Sequence, residues 1–435
     1  MTASVLVPFA ILLALLGSGV WVGLGLSGIG ILSLEIFRNV PVEKLLAQSI
    51  WNGLSSPELL ALPLFILMAE LLFRTKFIDG VFSALDPWLR NLPGGLLHTN
   101  IFGCALFALI SGSSAATTSS IGRITVPELR ARGYEERLVV GTLAGAGTLG
   151  FLIPPSIIMI VYGVLSQTSV LQLFAAGILP GLLLALCFVG YVIIRAKLTP
   201  SVVGAVEPIE RRALWALRLS GLPRLLPFLV LILAVLGSMY GGIASPTEAA
   251  AFAVFATVVI MAFEKSLSVR TLRDAAIGTS RTVSMLGLII ASASFLTMAM
   301  GFLGMPRAVS DFVNGLDLSP LMLIGLLIVV YIVLGSFLEG MSIIVMTIPI
   351  VLPLVTAAGY DSLWFGIFLI LMVELAQISP PVGMNLFVLQ GLTRKPLGEI
   401  VRAALPFFII MLLFVLTIAV FPGIVSVIPD LVKAG

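Results

Sequence analysis

Two stretches decide how this chain reads: GTLGFLIPPS at 147–156 and AQISPPVGMN at 376–385. Their Pro-Pro pairs, Pro154-Pro155 and Pro380-Pro381, lie 226 positions apart (380 − 154). The same interval separates Pro127 from Pro353, Gly133-Tyr134 from Gly359-Tyr360, and Pro180 from Pro406. One unit is therefore present twice, and each copy carries a hydrophobic segment broken at its centre. Proline has no N–H to donate and clashes with the carbonyl four residues back, so a helix cannot run through either pair. In lipid the freed backbone groups cost several kcal/mol each unless a cavity or partner satisfies them. Repeated, interrupted helices in a membrane point to a transporter whose binding site lies at the breaks.

Working outward, the 435 residues are 59% hydrophobic and 10% charged, and the mean hydropathy is +1.18. Soluble domains carry roughly 25% charged residues. Long apolar segments fill the spaces between charge clusters, which predicts an all-α polytopic membrane protein with spans of about 20 residues. A net charge of +3 makes no case for nucleic acid. Cys104 and Cys187 lie in apolar runs and read as small buried hydrophobes. No basic region precedes the apolar run Val5–Leu16, so it reads as a first span, at 4–19, and not as a cleaved signal.

The charges assign sides. A second span is expected at 21–37, an interfacial helix at 41–50, and a span at 57–73 that ends at Arg74 and Lys76. Residues 96–131 form two apolar arms around Ser111-Gly112-Ser113-Ser114. They fit either a re-entrant helical hairpin or two ordinary spans. Arg90 before them and Arg123, Arg130, Arg132 and Arg137 after them put both ends in the cytoplasm, which points to a hairpin opening inward. The first broken helix is expected at 138–164 and a further span at 171–194.

The loop 195–224 carries Arg195, Lys197, Arg211, Arg212, Arg218 and Arg224, the strongest cytoplasmic marker. Its later part, 201–224, links a first repeat, 1–200, to a second, 225–435. The second repeat reads as spans at 225–241 and 248–263, a polar amphipathic stretch at 267–281, and a span at 283–303. A second hairpin follows at 319–358 with its tip at Gly335–Gly340, then the second broken helix at 363–391 and a last span at 404–427. Asp311, Asp317 and Asp361 flank this hairpin, and Arg394-Lys395 end the broken helix. The second hairpin therefore opens outward, and the copies form an inverted-topology repeat with both termini outside.

Chemistry gathers at the interruptions. Carbonyls freed before each Pro-Pro pair can coordinate a cation such as sodium, helped by the negative end of a half-helix dipole. The tips offer Ser111, Gly112, Ser113 and Ser114 in one copy and Ser336, Glu339 and Gly340 in the other, oxygen donors suited to a hard cation. Glu339 is an intramembrane carboxylate with helix-tip hydrogen bonding or sodium coordination as its roles. Glu70 and Glu374 are expected to make interhelical hydrogen bonds. Glu248 in Ser245-Pro246-Thr247-Glu248 suits the first turn of a helix. Gly25-Leu26-Ser27-Gly28 matches a G-x-S-G pattern of intramembrane serine proteases. The lone histidine, His98, sits at the mouth of the first hairpin, and helix packing explains the pattern better. No metal-ligand spacing, phosphate loop or Walker motif is present, so neither enzyme nor ATP-driven pump is indicated.

Five stretches taken together, ISGSSAATTSSIG at 110–122, PELRARGY at 127–134, GTLGFLIPPSIIMIVYG at 147–163, SPTEAAA at 245–251 and SPPVGMNLFVLQG at 379–391, resemble the large membrane subunit of TRAP (tripartite ATP-independent periplasmic) transporters. The resemblance runs through most of the chain. It implies an elevator-type transporter in the bacterial inner membrane that works with a small four-helix membrane subunit and a periplasmic substrate-binding protein. It implies sodium-driven import of organic acids such as C4-dicarboxylates or sialic acids. By the family pattern, one sodium ion (Na+) would use Ser111 and Ser113 with carbonyls at Gly150, Ile153 and Pro155. A second would use Ser336 and Glu339 with Ala376, Ser379 and Pro381. Substrate would lie near Ser114, Thr117 and Asn385. Thr117 and Ser379 depart from the Asp and Thr that many relatives carry. No small-subunit sequence precedes Met1, which implies the unfused form. A stand-alone sodium/dicarboxylate symporter of related architecture is the alternative.

Overall fold

The computed structural model describes Val7 and residues 20–75, 77–204, 210–315, 319–381 and 383–434. Apart from Val7, the expected first span lies outside the described residues, as does Asp317. All the regular structure described is helical. The first copy runs through α1 (Val22–Phe37), α2 (Val42–Leu54), α3 (Ala61–Leu72), α4 (Phe77–Leu89), α5 (Leu97–Ser111), α6 (Ser114–Ala131), α7 (Glu136–Thr148), α8 (Ile157–Ser166) and α9 (Val170–Leu198). The second comprises α10 (Arg211–Tyr240), α11 (Pro246–Phe263), α12 (Val269–Phe302), α13 (Met305–Asn314), α14 (Pro320–Gly335), α15 (Gly340–Ala357), α16 (Ser362–Gln377), α17 (Met384–Thr393), α18 (Leu397–Val420) and α19 (Gly423–Ala434). Moved by 226, the starts of α6 and α7 coincide with those of α15 and α16, and the starts of α8 and α9 fall one residue before those of α17 and α18.

Among the described residues, five helices are long and apolar enough to cross a membrane: α9, α11, α12, α15 and α18. Two bent pairs qualify when each is taken as one span, α2 with Pro57–Leu72 at 58° and the two parts of α10 at 46°. The protein is thus an all-helical, multi-pass membrane protein with broken helices. At 1.5 Å per residue α5 is only about 22 Å long, short of a hydrocarbon core of about 30 Å. Helices α1, α2 and α3 pack on α12, and α3 also on α11. The hairpins and broken helices pack together, with α18 laid along α7 and α17 beside α6.

Several boundaries differ from the sequence reading for identifiable reasons. The stretches 267–281 and 283–303 are one helix, α12. Its first-copy counterpart is interrupted at Ser55-Ser56-Pro57, whereas the matching residues Arg281-Thr282-Val283 contain no proline. The linker is helical from Arg211, and the bend of α10 falls at Pro223. The last span stops at Val420 before Pro422, and an amphipathic helix, α19, follows. Helices α4 and α13 occupy the unread stretches after each scaffold span. Cys187 is exposed on the outer face of α9, and only Cys104 is buried.

Several of the basic residues used to assign sides lie together. Arg130 pairs with Glu136, and Lys395 lies 3.2 Å from Glu136 and 3.1 Å from Glu399. Arg137 donates to the Arg402 carbonyl at 3.2 Å. Arg132 bonds Glu128 and approaches Asp86 at 3.6 Å, where Arg90 also lies. The end of the first hairpin and the end of the second broken helix therefore share a side.

Candidate functional site

The first hairpin tip is built by two local rules. Gly112 ends α5 in the left-handed region, with φ +53°, which glycine adopts without steric cost. Ser113 then caps α6, its hydroxyl accepting from the Ala116 N–H at 3.5 Å. Ser111 Oγ lies 2.6 Å from Thr117 Oγ1, and Thr117 donates to the Ser113 carbonyl at 2.8 Å. The hydroxyls of Ser111 and Thr117 and the backbone of Ser113 thus form one polar cluster of three sequence-predicted residues. In the second copy Glu339 occupies the position equivalent to Ser113 (339 − 226) and plays the same part, accepting from the Ser342 N–H at 3.3 Å as the cap of α15. Of the two roles read for Glu339, helix-tip hydrogen bonding is the one seen. Ser336 turns back into its own helix and donates to the Ile332 carbonyl at 2.9 Å.

Each tip sits against a break. A methyl group built on Gly150 would lie 3.2 Å from both the Ser113 carbonyl and Thr117 Oγ1. One built on Gly335 would come within 2.4 Å of Ala376 Cβ, and one on Gly340 within 2.4 Å of Val373 Cγ1 and 3.1 Å of Gln377 Nε2. Across the copies, Asn385 Nδ2 donates to Ser114 Oγ at 2.8 Å, joining two of the predicted substrate residues. Both are wholly buried, and Asn385 Oδ1 has no protein partner. Both tips and both breaks therefore converge.

The two breaks differ in what their carbonyls do. Both Pro-Pro peptides are cis. Through the first break, the N–H groups of Phe151, Leu152 and Ile153 bond back to Thr148 and Leu149. Among the described residues, no backbone hydrogen bond ends on the carbonyls of residues 150–155, so those of Gly150, Ile153 and Pro155 keep both lone pairs. In the second break the Ala376 carbonyl accepts from the Ser379 N–H at 3.2 Å, and the Ser379 carbonyl from the Gly383 N–H at 2.9 Å. The Ser379 hydroxyl donates to Leu375 at 3.0 Å. Pro154 and Pro155 are buried, whereas Pro380, Pro381 and Glu339 are exposed. A hard cation takes six to eight oxygen ligands when it is as large as calcium, and carbonyls and hydroxyls serve as such ligands. The first junction supplies that donor chemistry in a buried setting. No His, Cys, Asp and Glu cluster of metal-binding kind occurs among the described residues.

The remaining candidates fall elsewhere. Ser27 shares a hydrogen bond of 2.9 Å with Ser292 Oγ, while the buried His98 ring contacts the Pro93 carbonyl at 2.9 Å. The G-x-S-G serine and the histidine are thus engaged apart. Glu248 and Ser245 form a reciprocal capping box. Glu70 pairs with Arg74, four residues on and just past the end of its helix, at 2.5 Å, and the long-range bond there runs from Arg74 to the Asp274 carbonyl at 3.1 Å. Glu374 is wholly buried, and neither carboxyl oxygen makes a hydrogen bond. Both findings correct the interhelical bonds read for these two glutamates. Sequence reasoning missed Thr118, which packs against Gly147, and the buried, unpartnered Ser156 that follows the first Pro-Pro pair. A cavity of about 880 Å³ opens elsewhere, among residues that include Asn52, Glu58, Leu165, Gln167 and Thr297, and none of the predicted site residues lines it.

A multi-pass helical protein whose two hairpin tips and two helix breaks meet, with the first junction buried, has the build of a membrane transporter. The family described as "Tripartite ATP-independent periplasmic transporter, DctM component" matches residues 9–424, and the chain belongs to it. It is a transporter permease and not an enzyme. The C4-dicarboxylate TRAP transporter large permease protein of Pseudomonas aeruginosa is 33% identical over 414 residues, covering 94% of this chain and 93% of that protein. The ectoine/5-hydroxyectoine TRAP transporter large permease protein of Ruegeria pomeroyi is 28% identical and covers 99% of both. Among solved structures, the Alcanivorax borkumensis YdaH transporter has a TM-score of 0.64 at 14% identity, with 87% of each chain covered, a likeness of fold.

Proposed function

We propose that this chain is the large permease subunit of a sodium-coupled importer for a small organic acid anion, working by an elevator motion in the bacterial inner membrane. The observation that carries the reading is the first junction, where Gly150, at the head of a run of unbonded carbonyls, lies beside the Ser113 carbonyl and the Thr117 hydroxyl, which Ser111 Oγ also approaches. Such a donor set takes a cation without a full negative charge. The second cation uses the Glu339 tip and the Ala376–Pro381 break, where each bonded carbonyl still has a free lone pair. Substrate lies between the tips, touching Ser114, Thr117 and Asn385.

The inverted repeat is supported by the register of the two copies and by the basic residues that lie together. The relatives' names span C4-dicarboxylates and ectoines, so the substrate class is a small carboxylate-bearing solute. Membership in the family brings a small four-helix membrane subunit and a periplasmic binding protein as partners. Uptake into proteoliposomes holding this chain and its small subunit, with the binding protein outside, tests the reading. Transport is expected only with all three components and an inward sodium gradient. Uptake that survives replacement of sodium by choline refutes the coupling. Uptake by this chain alone points instead to a stand-alone symporter.

A further inference from the structure

We propose that the cleft where α7 and α18 begin is a binding site for the phosphate headgroup of an anionic phospholipid, whose acyl chains lie along the outer face of α18. The two helices pack side by side, and a cavity of about 200 Å³ opens at their starts. Glu136, Arg137, Lys395, Glu399 and Arg402 supply its charged lining. Both carboxylates are already engaged. Glu136 pairs with Arg130, and with Lys395 at 3.2 Å, while Glu399 pairs with Lys395 at 3.1 Å. Arg137 donates to the Arg402 carbonyl at 3.2 Å, a neutral acceptor. Among the described residues, neither Arg137 nor Arg402 has an acidic partner, and both are exposed. A guanidinium presents five N–H donors in a fork that matches phosphate. The N-termini of α7 and α18 bring the positive ends of two helix dipoles to the same place. The two arginines are therefore free to take an anion from outside the chain.

The outer face of α18 selects the kind of anion. Leu405, Ile409, Leu413, Leu416 and Val420 recur at intervals of three or four residues and are 43–58% exposed. They form one apolar stripe, and Arg402 lies three residues before Leu405 on the same face. At 1.5 Å per residue, the stretch from Arg402 to Val420 spans about 27 Å, close to a hydrocarbon core of about 30 Å. Arg402 therefore stands at headgroup level when the stripe crosses the acyl region. A free phosphate could use only the cavity, whereas a phospholipid uses the cavity and the stripe together. Loop charge assigns this end to the cytoplasm, the side on which anionic lipid attracts Lys and Arg. The repeat equivalents of Lys395, Glu399 and Arg402 are Ser169, Leu173 and Ala176 (395 − 226, 399 − 226 and 402 − 226), so the site is built once. The inference does not depend on which solute or coupling ion the protein carries.

The test uses the full chain with its small subunit, delipidated in detergent and followed by native mass spectrometry. The probe is dioleoyl phosphatidylglycerol, with dioleoyl phosphatidylcholine and inorganic phosphate as comparisons. Phosphatidylglycerol is expected to bind about tenfold or more tightly than phosphatidylcholine, and an equal concentration of inorganic phosphate should not displace it. An arginine near an anionic headgroup is worth about fivefold in affinity. Arg402→Gln should therefore weaken phosphatidylglycerol about fivefold, and Arg137→Gln with Arg402→Gln about 25-fold, with phosphatidylcholine unchanged. Arg402→Lys keeps the charge and should stay within about threefold of wild type. Arg270→Gln, an exposed arginine on α12, should have no effect. If the double variant does not fold, Arg402→Gln alone carries the test. Equal binding of the two lipids, displacement by inorganic phosphate, or wild-type affinity in the arginine variants overturns the proposal. So does an equal loss in Arg270→Gln, which would mark unspecific attraction, or a photo-crosslinker at Leu413 that captures the small subunit in place of lipid.

Discussion

Gly335→Ala is a sharp test of the idea that the hairpin tips must seat against the breaks. A Cβ at this position would stand 2.4 Å from Ala376 Cβ and 3.0 Å from Ala376 Cα. Both obstacles are fixed to backbone, so no rotamer change relieves them. The tip must retreat by about 1 Å to reach ordinary contact, and overpacking of this kind costs about 1–3 kcal/mol. Better helix propensity returns up to about 1 kcal/mol. A net penalty of about 1–2 kcal/mol on the seated conformation corresponds to roughly a 5- to 30-fold change in an equilibrium constant. Gly150→Ala meets its nearest atoms at 3.2 Å and Gly325→Ala, on the same helix as Gly335, meets nothing within 4 Å. The assay is half-saturation by sodium in proteoliposome uptake, with membrane insertion checked by size-exclusion profile. The expected order of impairment is Gly335→Ala, then Gly150→Ala, then no loss for Gly325→Ala. Normal sodium affinity in Gly335→Ala, or equal damage in Gly325→Ala, refutes the seating argument.

Pro155→Ala and Pro381→Ala restore a donor N–H to each break and withdraw carbonyls into helical bonding; both proteins should insert while sodium half-saturation rises, and full sodium affinity in both sinks the carbonyl-site idea. Asn385→Ala leaves Ser114 without its buried partner, a change worth about 1–3 kcal/mol; the expected result is a higher substrate KM at saturating sodium, and an unchanged KM removes these residues from the substrate path.

The architecture was legible because helix breaks are written in the chemistry of single residues. Each adjacent Pro-Pro pair interrupts its helix, and Gly112 and the caps at Ser113 and Ser245 mark their turns by residue type. Amphipathic α4, α13 and α19 were harder, since their alternation is weaker than the hydropathy of the spans around them. The merger of 267–281 with 283–303 depended on an absence, the proline that the first copy has at Pro57. The site was legible as a set of residue types and not as a set of contacts. Repeat register relates Ser113 to Glu339, but nothing in it says that Asn385 reaches Ser114 across 271 positions. Nor does it say which residues of the other copy a helix face meets, because spacing along a helix reports a face and not what packs there.

The two copies share a helix register yet differ in exposure, and the cause lies one helix away. Gly177 and Gly181 let α9 close over the first break: a Cβ at either position would meet the Leu152 carbonyl at 2.5 Å or Ile153 Cγ1 at 3.0 Å. Their equivalents in α18 are Ala403 and Phe407 (177 + 226 and 181 + 226). A phenyl ring cannot make that close backbone approach. The Phe407 ring seats instead on Gly145 and Gly141 of the first broken helix, within 2.6 and 2.9 Å of where a Cβ would stand, and the Ala403 carbonyl also lies against Gly141. Both α9 and α18 are thereby drawn onto the first broken helix. The first break is buried, and Pro380-Pro381 remain open. A duplicated chain acquires unlike halves by exchanging two small residues for one small and one large, without altering the breaks themselves. The two halves therefore present the same break in unlike settings, one enclosed by α9 and one open.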